Sequence, residues 1–139
     1  MNKNRNTILI VDDEPEIRGL MQEILTEEGY LTFAVKNAKE AQEMLQLLSG
    51  TSHEVISSIC VTTSTQQLVD HDLAKVYFRT FTSEEITHYI NTYQPFDKAG
   101  AYGIQEWIGH VALQKLEGSY NTVMGLPTQK LYDLLHQLQ

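Results

Sequence analysis

Residues Thr7 to Leu48 read TILIVDDEPEIRGLMQEILTEEGYLTFAVKNAKEAQEMLQLL, and the rhythm of this stretch decides the fold class. Thr7 to Val11 is a short apolar run rich in β-branched residues, the pattern of a strand covered on both faces in a parallel sheet. Pro15 suits a first helical turn. Ile17, Leu20, Met21, Ile24 and Leu25 then recur at helical spacing until Gly29 supplies a stop. Tyr30 to Val35 reads as the next strand. Asn37 with Glu40 makes a capping-box-like start for a second helix, whose Ala38, Ala41, Leu45 and Leu48 form one apolar stripe. The order is β-α-β-α, which implies a right-handed parallel crossover.

After Gly50 the strands lengthen. Val55 to Thr63 and Leu73 to Phe81 predict two strands, with the polar stretch Ser64 to His71 as their hairpin connection. In the second strand Val76, Phe78 and Thr80 alternate with Lys75, Tyr77 and Arg79. Thr82 and Glu85 form a second capping box, opening a helix with Ile86, Tyr89, Ile90 and Tyr93 on one face. Pro95 ends it. Ile108 to Leu116 predicts a further strand, and Pro127 opens a terminal helix carrying Leu131, Leu134, Leu135 and Leu138. With 139 residues, 42% of them hydrophobic, and no repeat or linker, the expectation is a single domain over 1–139. Its class is α/β, three layers about a mixed sheet.

A formal charge of -8 disfavours a surface that tracks nucleic-acid or lipid phosphates, while leaving room for a local phosphate pocket. Cys60 is the only cysteine, which excludes an internal disulfide; its apolar surroundings predict a core position. No apolar run approaches the roughly 20 residues of a membrane span, so a cytoplasmic protein with neither membrane nor nucleic-acid partner is expected.

Two constellations carry chemistry. Asp12 and Asp13 close the first strand, at the sheet edge where α/β folds bind ligands. They are either a pair that holds a divalent cation such as Mg²⁺ or plain solvent-facing carboxylates. The second constellation is the loop DKAGAYGIQ, Asp97 to Gln105. Gly100 and Gly103 let backbone N–H groups approach an anion, Lys98 adds a point charge for phosphate, and Asp97 can activate water or meet a metal. A loop of this composition is often only structural. His53 reads as a hydrogen-bonded structural histidine. Tyr89, Tyr93, Phe96, Trp107 and Tyr120 read mainly as packing residues, whereas Tyr102 sits among chemical neighbours.

Resemblance sharpens these readings. Residues 6–35, with VDDEP, resemble the opening of a response-regulator receiver domain. The phosphoacceptor aspartate which that resemblance requires is missing, since no Asp lies between Asp13 and Asp70, and Gln94 stands where QPFD would need a lysine. Residues 36–139 resemble the C-terminal part of Maf-type nucleoside triphosphate pyrophosphatases, through LSGTSHEV, FTSEEITHYI, DKAGAYGIQ and GSYNTVMGLP. That resemblance implies hydrolysis of a nucleoside triphosphate to monophosphate and pyrophosphate with a divalent metal, in a homodimer. It implies that Asp97, Lys98 and Gln105 face substrate phosphates, metal or base, so that with the loop's own chemistry Asp97 is the candidate catalytic residue and Lys98, Gly100, Tyr102 and Gln105 are the candidate nucleotide- or phosphate-binding residues. The family's Ser-Pro-Arg-Arg, Asp-Thr and Gly-Lys-Pro segments do not occur, and Thr122 replaces an asparagine. From the sequence alone the expectation is a recombined or engineered chimera that keeps a nucleotide- or pyrophosphate-binding loop with little or no catalysis. The alternative is an active Maf-like pyrophosphatase, and a signalling module is the weakest reading.

Overall fold

The computed structural model describes residues 7–10, 15–34 and 37–138. Strand β1 (Thr7–Ile10), helix α1 (Pro15–Glu27) and strand β2 (Leu31–Ala34) form the expected crossover unit. β1 and β2 pair in parallel, from Thr7 opposite Leu31 to Ile10 opposite Ala34. Helix α2 (Ala38–Leu48) starts at Asn37, whose side chain accepts from the N–H groups of Lys39 and Glu40 at 3.0 and 3.1 Å. Those bonds satisfy two donors that a helix N-terminus otherwise leaves open.

Strands β3 (Ser52–Thr62) and β4 (Gln67–Phe78) make a long antiparallel ribbon, in register from Ser52 opposite Tyr77 to Thr62 opposite Gln67. The connection is the short turn at 63–66, tighter than the sequence suggests, and Thr63 N–H donates to the Gln66 carbonyl across it. Helix α3 (Ser83–Tyr93) begins with a closed capping box: Glu85 N–H donates to the Thr82 hydroxyl and Thr82 N–H to the Glu85 carboxylate. Glu85 also takes a two-pronged bond from Arg79, at 2.7 and 2.9 Å. The helix stops at Gln94, which takes a left-handed conformation just before Pro95.

The expected strand over Ile108 to Leu116 is replaced in its first half by helix α4 (Trp107–Ala112); strand β5 (Leu113–Glu117) follows and pairs with β4. Short helix α5 (Tyr120–Val123) and helix α6 (Thr128–His136) complete the described chain. Parallel and antiparallel pairing are both present, divided among the described residues between a β1-β2 sheet and a β3-β4-β5 sheet. The class is α/β, as the sequence predicts.

The main core lies between the ribbon's inner face and helices α2, α3 and α4. Ala41 and Leu45 of α2, Val76 and Phe78 of β4, Ile86, Tyr89 and Ile90 of α3, and Ile108 of α4 are all buried in it. Ser57 on β3 and Thr122 on α5 are buried polar residues that meet across the ribbon's covered face. The Ser57 hydroxyl donates to the Thr122 carbonyl, and the Thr122 hydroxyl to Asp72. Buried hydroxyls without such partners would cost stability. Two expectations need correcting here. Cys60 is exposed, because it lies on the uncovered face of the ribbon with Ile56 and Ser58. Leu20 of α1, on an apolar helical stripe that reads as inward-facing, is instead 55% exposed, and Met21 and Ile24 on the same helix are 46% and 51% exposed.

Candidate active site

The loop after α3 is held by the interior of the fold. Tyr89 is fully buried on α3, and its hydroxyl accepts the Gly103 N–H at 3.0 Å while donating to the Glu106 carboxylate. The other Glu106 oxygen lies 3.3 Å from the Lys98 ammonium, which also meets Asp97 at 3.1 Å. Lys98 thus sits between two carboxylates. Burial alone would lower its pKa, but the hydrogen bond to Asp97 and the charge of Glu106 outweigh that and hold it above an ordinary lysine. The hydrogen bond from Lys98 keeps Asp97 below the usual carboxylate range. Both shifts favour the charged forms of the two groups.

Within the loop, a single turn of 3-10 helix runs over Ala99–Ala101 with Gly100 at φ +71°. A Cβ there would meet the Tyr102 ring at 2.9 Å, so both the conformation and the close approach call for glycine. Tyr102 is buried against Phe78, ring centroids 4.9 Å apart, and its hydroxyl lies 2.8 Å from His53 Nε2. Burial pushes the Tyr102 hydroxyl pKa up and draws His53 down to about 4. His53 is therefore neutral at pH 7. Its Nδ1 is buried without a hydrogen-bond partner among the described residues. Beside this pair a largely apolar cavity of about 570 Å³ opens between α2, β3 and the loop, lined by Met44, Leu48, His53, Val55, Gly100 and Tyr102 among others. Its size lies within the range of ligand pockets.

The structure brings Asp97, Lys98, Gly100 and Tyr102 together in one loop; Asp97 is largely exposed and Gln105 is exposed at the loop's far end. Asp12 and Asp13 lie outside the described residues. Sequence reasoning missed Glu106 and the polar role of Tyr89. Glu106 follows directly on the recognisable loop, which is the only signal that could have flagged it. Tyr89 sits on an apolar helical stripe, which hides its hydroxyl. The other aromatic residues divide: Phe96 and Trp107 are half-buried, Tyr93 stacks on Tyr89 with centroids 5.0 Å apart, and Tyr120 is 41% exposed. The described residues contain no group of three or more His, Cys, Asp or Glu side chains that could hold a metal. The two loop carboxylates are already engaged with Lys98, so these residues do not form a metal site by themselves. None of the described helices is long and apolar enough to cross a membrane.

A glycine-bearing loop with a paired lysine and aspartate packs beside a cavity on an α/β scaffold. Comparison with known proteins is more specific. A family model described as Maf-like protein matches residues 34–138, and the chain belongs to that family. It is 52% identical over 103 residues to a dTTP/UTP pyrophosphatase of Flavobacterium johnsoniae, covering 74% of this chain and 53% of that protein. It is 47% identical over 115 residues to a protein of the same name in Bacteroides fragilis, covering 83% of this chain and 60% of the relative. The corresponding protein of Christiangramia forsetii is 47% identical over 103 residues, 74% of this chain and 53% of that protein. The chain thus spans about half the length of these relatives.

These matches overturn the expectation of a recombined or engineered chimera with little catalysis. The similarity is to pyrophosphatases, and the receiver resemblance of residues 6–35 gains no support. That expectation weighed the missing Ser-Pro-Arg-Arg and Gly-Lys-Pro segments as lost function. A chain that spans about half of its relatives says nothing, through segments it does not share, against the chemistry of the segments it does share.

Proposed function

We propose that this chain is a Maf-like nucleoside triphosphate pyrophosphatase, converting a nucleoside triphosphate to a monophosphate and diphosphate, with thymidine and uridine triphosphates as preferred substrates. The observation that supports it is the pairing of Lys98 with Asp97 in a loop fixed through Gly103 and Tyr89, in a chain up to 52% identical to dTTP/UTP pyrophosphatases. In this reading Lys98 faces the negative charge that develops on the leaving diphosphate, where a fixed cation is most effective. Asp97, ionised at neutral pH, accepts the proton of the attacking water. Gly100 and Gly103 keep the backbone close to the phosphates, and Gln105 and Tyr102 border the nucleoside. A divalent metal is what the family resemblance implies; the described residues form no site for it alone. The cytoplasm, where nucleoside triphosphates are made, and a homodimeric assembly belong to the same proposal, the latter tested by light scattering on the eluting protein.

The test is diphosphate release from a panel of nucleoside triphosphates, with and without Mg²⁺. The expected result is release from dTTP and UTP ahead of the purine nucleotides, abolished by Asp97→Asn. No release from any nucleotide under either condition would overturn the reading.

A further inference from the structure

We infer that Glu106 is a positioning residue, seated on Tyr89, that fixes the ammonium of Lys98, so that Tyr89 and Glu106 act on that lysine as one unit. The inference rests on the reading that Lys98 handles phosphate. Lys98 has two partners, and they differ in kind. Asp97 is its sequence neighbour, with a side chain 65% exposed, and an exposed pair of this sort holds geometry weakly. Glu106 has a side chain only 18% exposed. One of its oxygens takes the Tyr89 hydroxyl proton and the other meets Lys98. Tyr89 is in turn held in place: it is fully buried, and the Gly103 N–H donates to its oxygen. A Cβ on Gly103 would come within 2.9 Å of the Glu106 side chain, so glycine at 103 leaves the carboxylate room to lie against the loop. The rigid partner of Lys98 is Glu106, and the chain of contact runs from helix α3 through Tyr89 to the lysine. The raised pKa of Lys98 agrees, since its burial alone would favour the uncharged amine. A lysine is a flexible stem with a point charge. Its value to a transition state depends on where that charge is held, and small displacements of such groups are costly.

The test uses the full chain as Glu106→Gln, Tyr89→Phe and the double variant, each first shown by thermal melting to be folded. Without nucleotide, acetylation of each lysine by acetic anhydride at one pH is followed by peptide mass spectrometry. Glu106→Gln is expected to speed acetylation of Lys98 severalfold and leave the other lysines unchanged, with Tyr89→Phe acting in the same direction. With dTTP, Glu106→Gln is expected to lower kcat on the order of tenfold while KM moves far less. The double variant should be no worse than Glu106→Gln alone. Lys98 acetylation that is unchanged in both single variants overturns the inference, as does a rise in KM with kcat retained, or additive losses in the double variant. A chain that turns over no nucleotide yet shows the Lys98-specific acetylation change sinks the pyrophosphatase reading and upholds the positioning. If Glu106→Gln fails to fold, Tyr89→Phe alone decides through the same two measurements.

Discussion

At the scale of single residues the most telling group is His53. The imidazole is drawn down to about 4 by burial beside Tyr102, Phe78 and the cavity, against an ordinary value near 6.5. Its folded pKa is depressed, so the unfolded chain binds its proton more readily. The stability it supports is fully present above about pH 6.5 and is lost as the pH falls through the folded value near 4. The loss reaches at most about 3 kcal/mol, less whatever water screens at a partly exposed ring. Denaturant unfolding of the wild type and His53→Gln at pH 7.5 and pH 4.5 checks it. The wild type should lose clearly more stability between the two than the variant does. Equal losses would mean that the ring is protonated without penalty where it stands.

At the scale of elements, helix α4 shows how packing overrides pattern. The run IGHVALQKL is rich in apolar and β-branched residues, which favours a strand reading, yet Ile108 and Ala112 are buried four residues apart on a helix, with Gly109 buried between them. A Cβ at Gly109 would stand 1.8 Å from the Ile104 carbonyl oxygen. Alanine at an open helix position would stabilise by about 1 kcal/mol relative to glycine. Here the clash with fixed backbone dominates, and Gly109→Ala should destabilise by about 3 kcal/mol, read as a lowered denaturation midpoint. A raised midpoint would show that α4 does not sit against that carbonyl. The same contrast marks what was legible in the sequence. The β-α-β opening, the ribbon, the Thr82 capping box and the terminal helix all announce themselves through local spacing. The exposure of Cys60 does not, because β-branched residues line both faces of the ribbon and only the position of helices α5 and α6 decides which face is covered. Nor does the link from Tyr89 through Glu106 to Lys98, which exists only because α3 and the following loop fold back on each other. The loop itself was readable from its residues; its fixed geometry was not.

At the scale of the whole molecule, we propose that 1–139 shares one core. The parallel pair and the antiparallel ribbon form separate sheets among the described residues, so backbone pairing does not join them and side chains must. Ile10 at the end of β1 is 4% exposed, and Ile8 lines the same cavity as Met44, Leu48 and His53. On this proposal, burial of this kind couples the crossover unit to the rest through apolar area. Leu20 on α1, 55% exposed, contributes little to it. Ile10→Ala should therefore cost about 2 to 5 kcal/mol, a large share of a marginal domain's stability. Leu20→Ala should stay within about 1 kcal/mol, as expected at an exposed site. Trp107 reports from the far side of the core, half-buried and edge-on to His88 with ring centroids 5.1 Å apart, and its fluorescence gives the readout. One transition, shifted by Ile10→Ala and nearly unmoved by Leu20→Ala, is the expected outcome. A Trp107 transition indifferent to Ile10→Ala, or a separate earlier transition seen by far-ultraviolet circular dichroism alone, would show that the β1-α1-β2 unit folds apart from the half that carries the Lys98 loop.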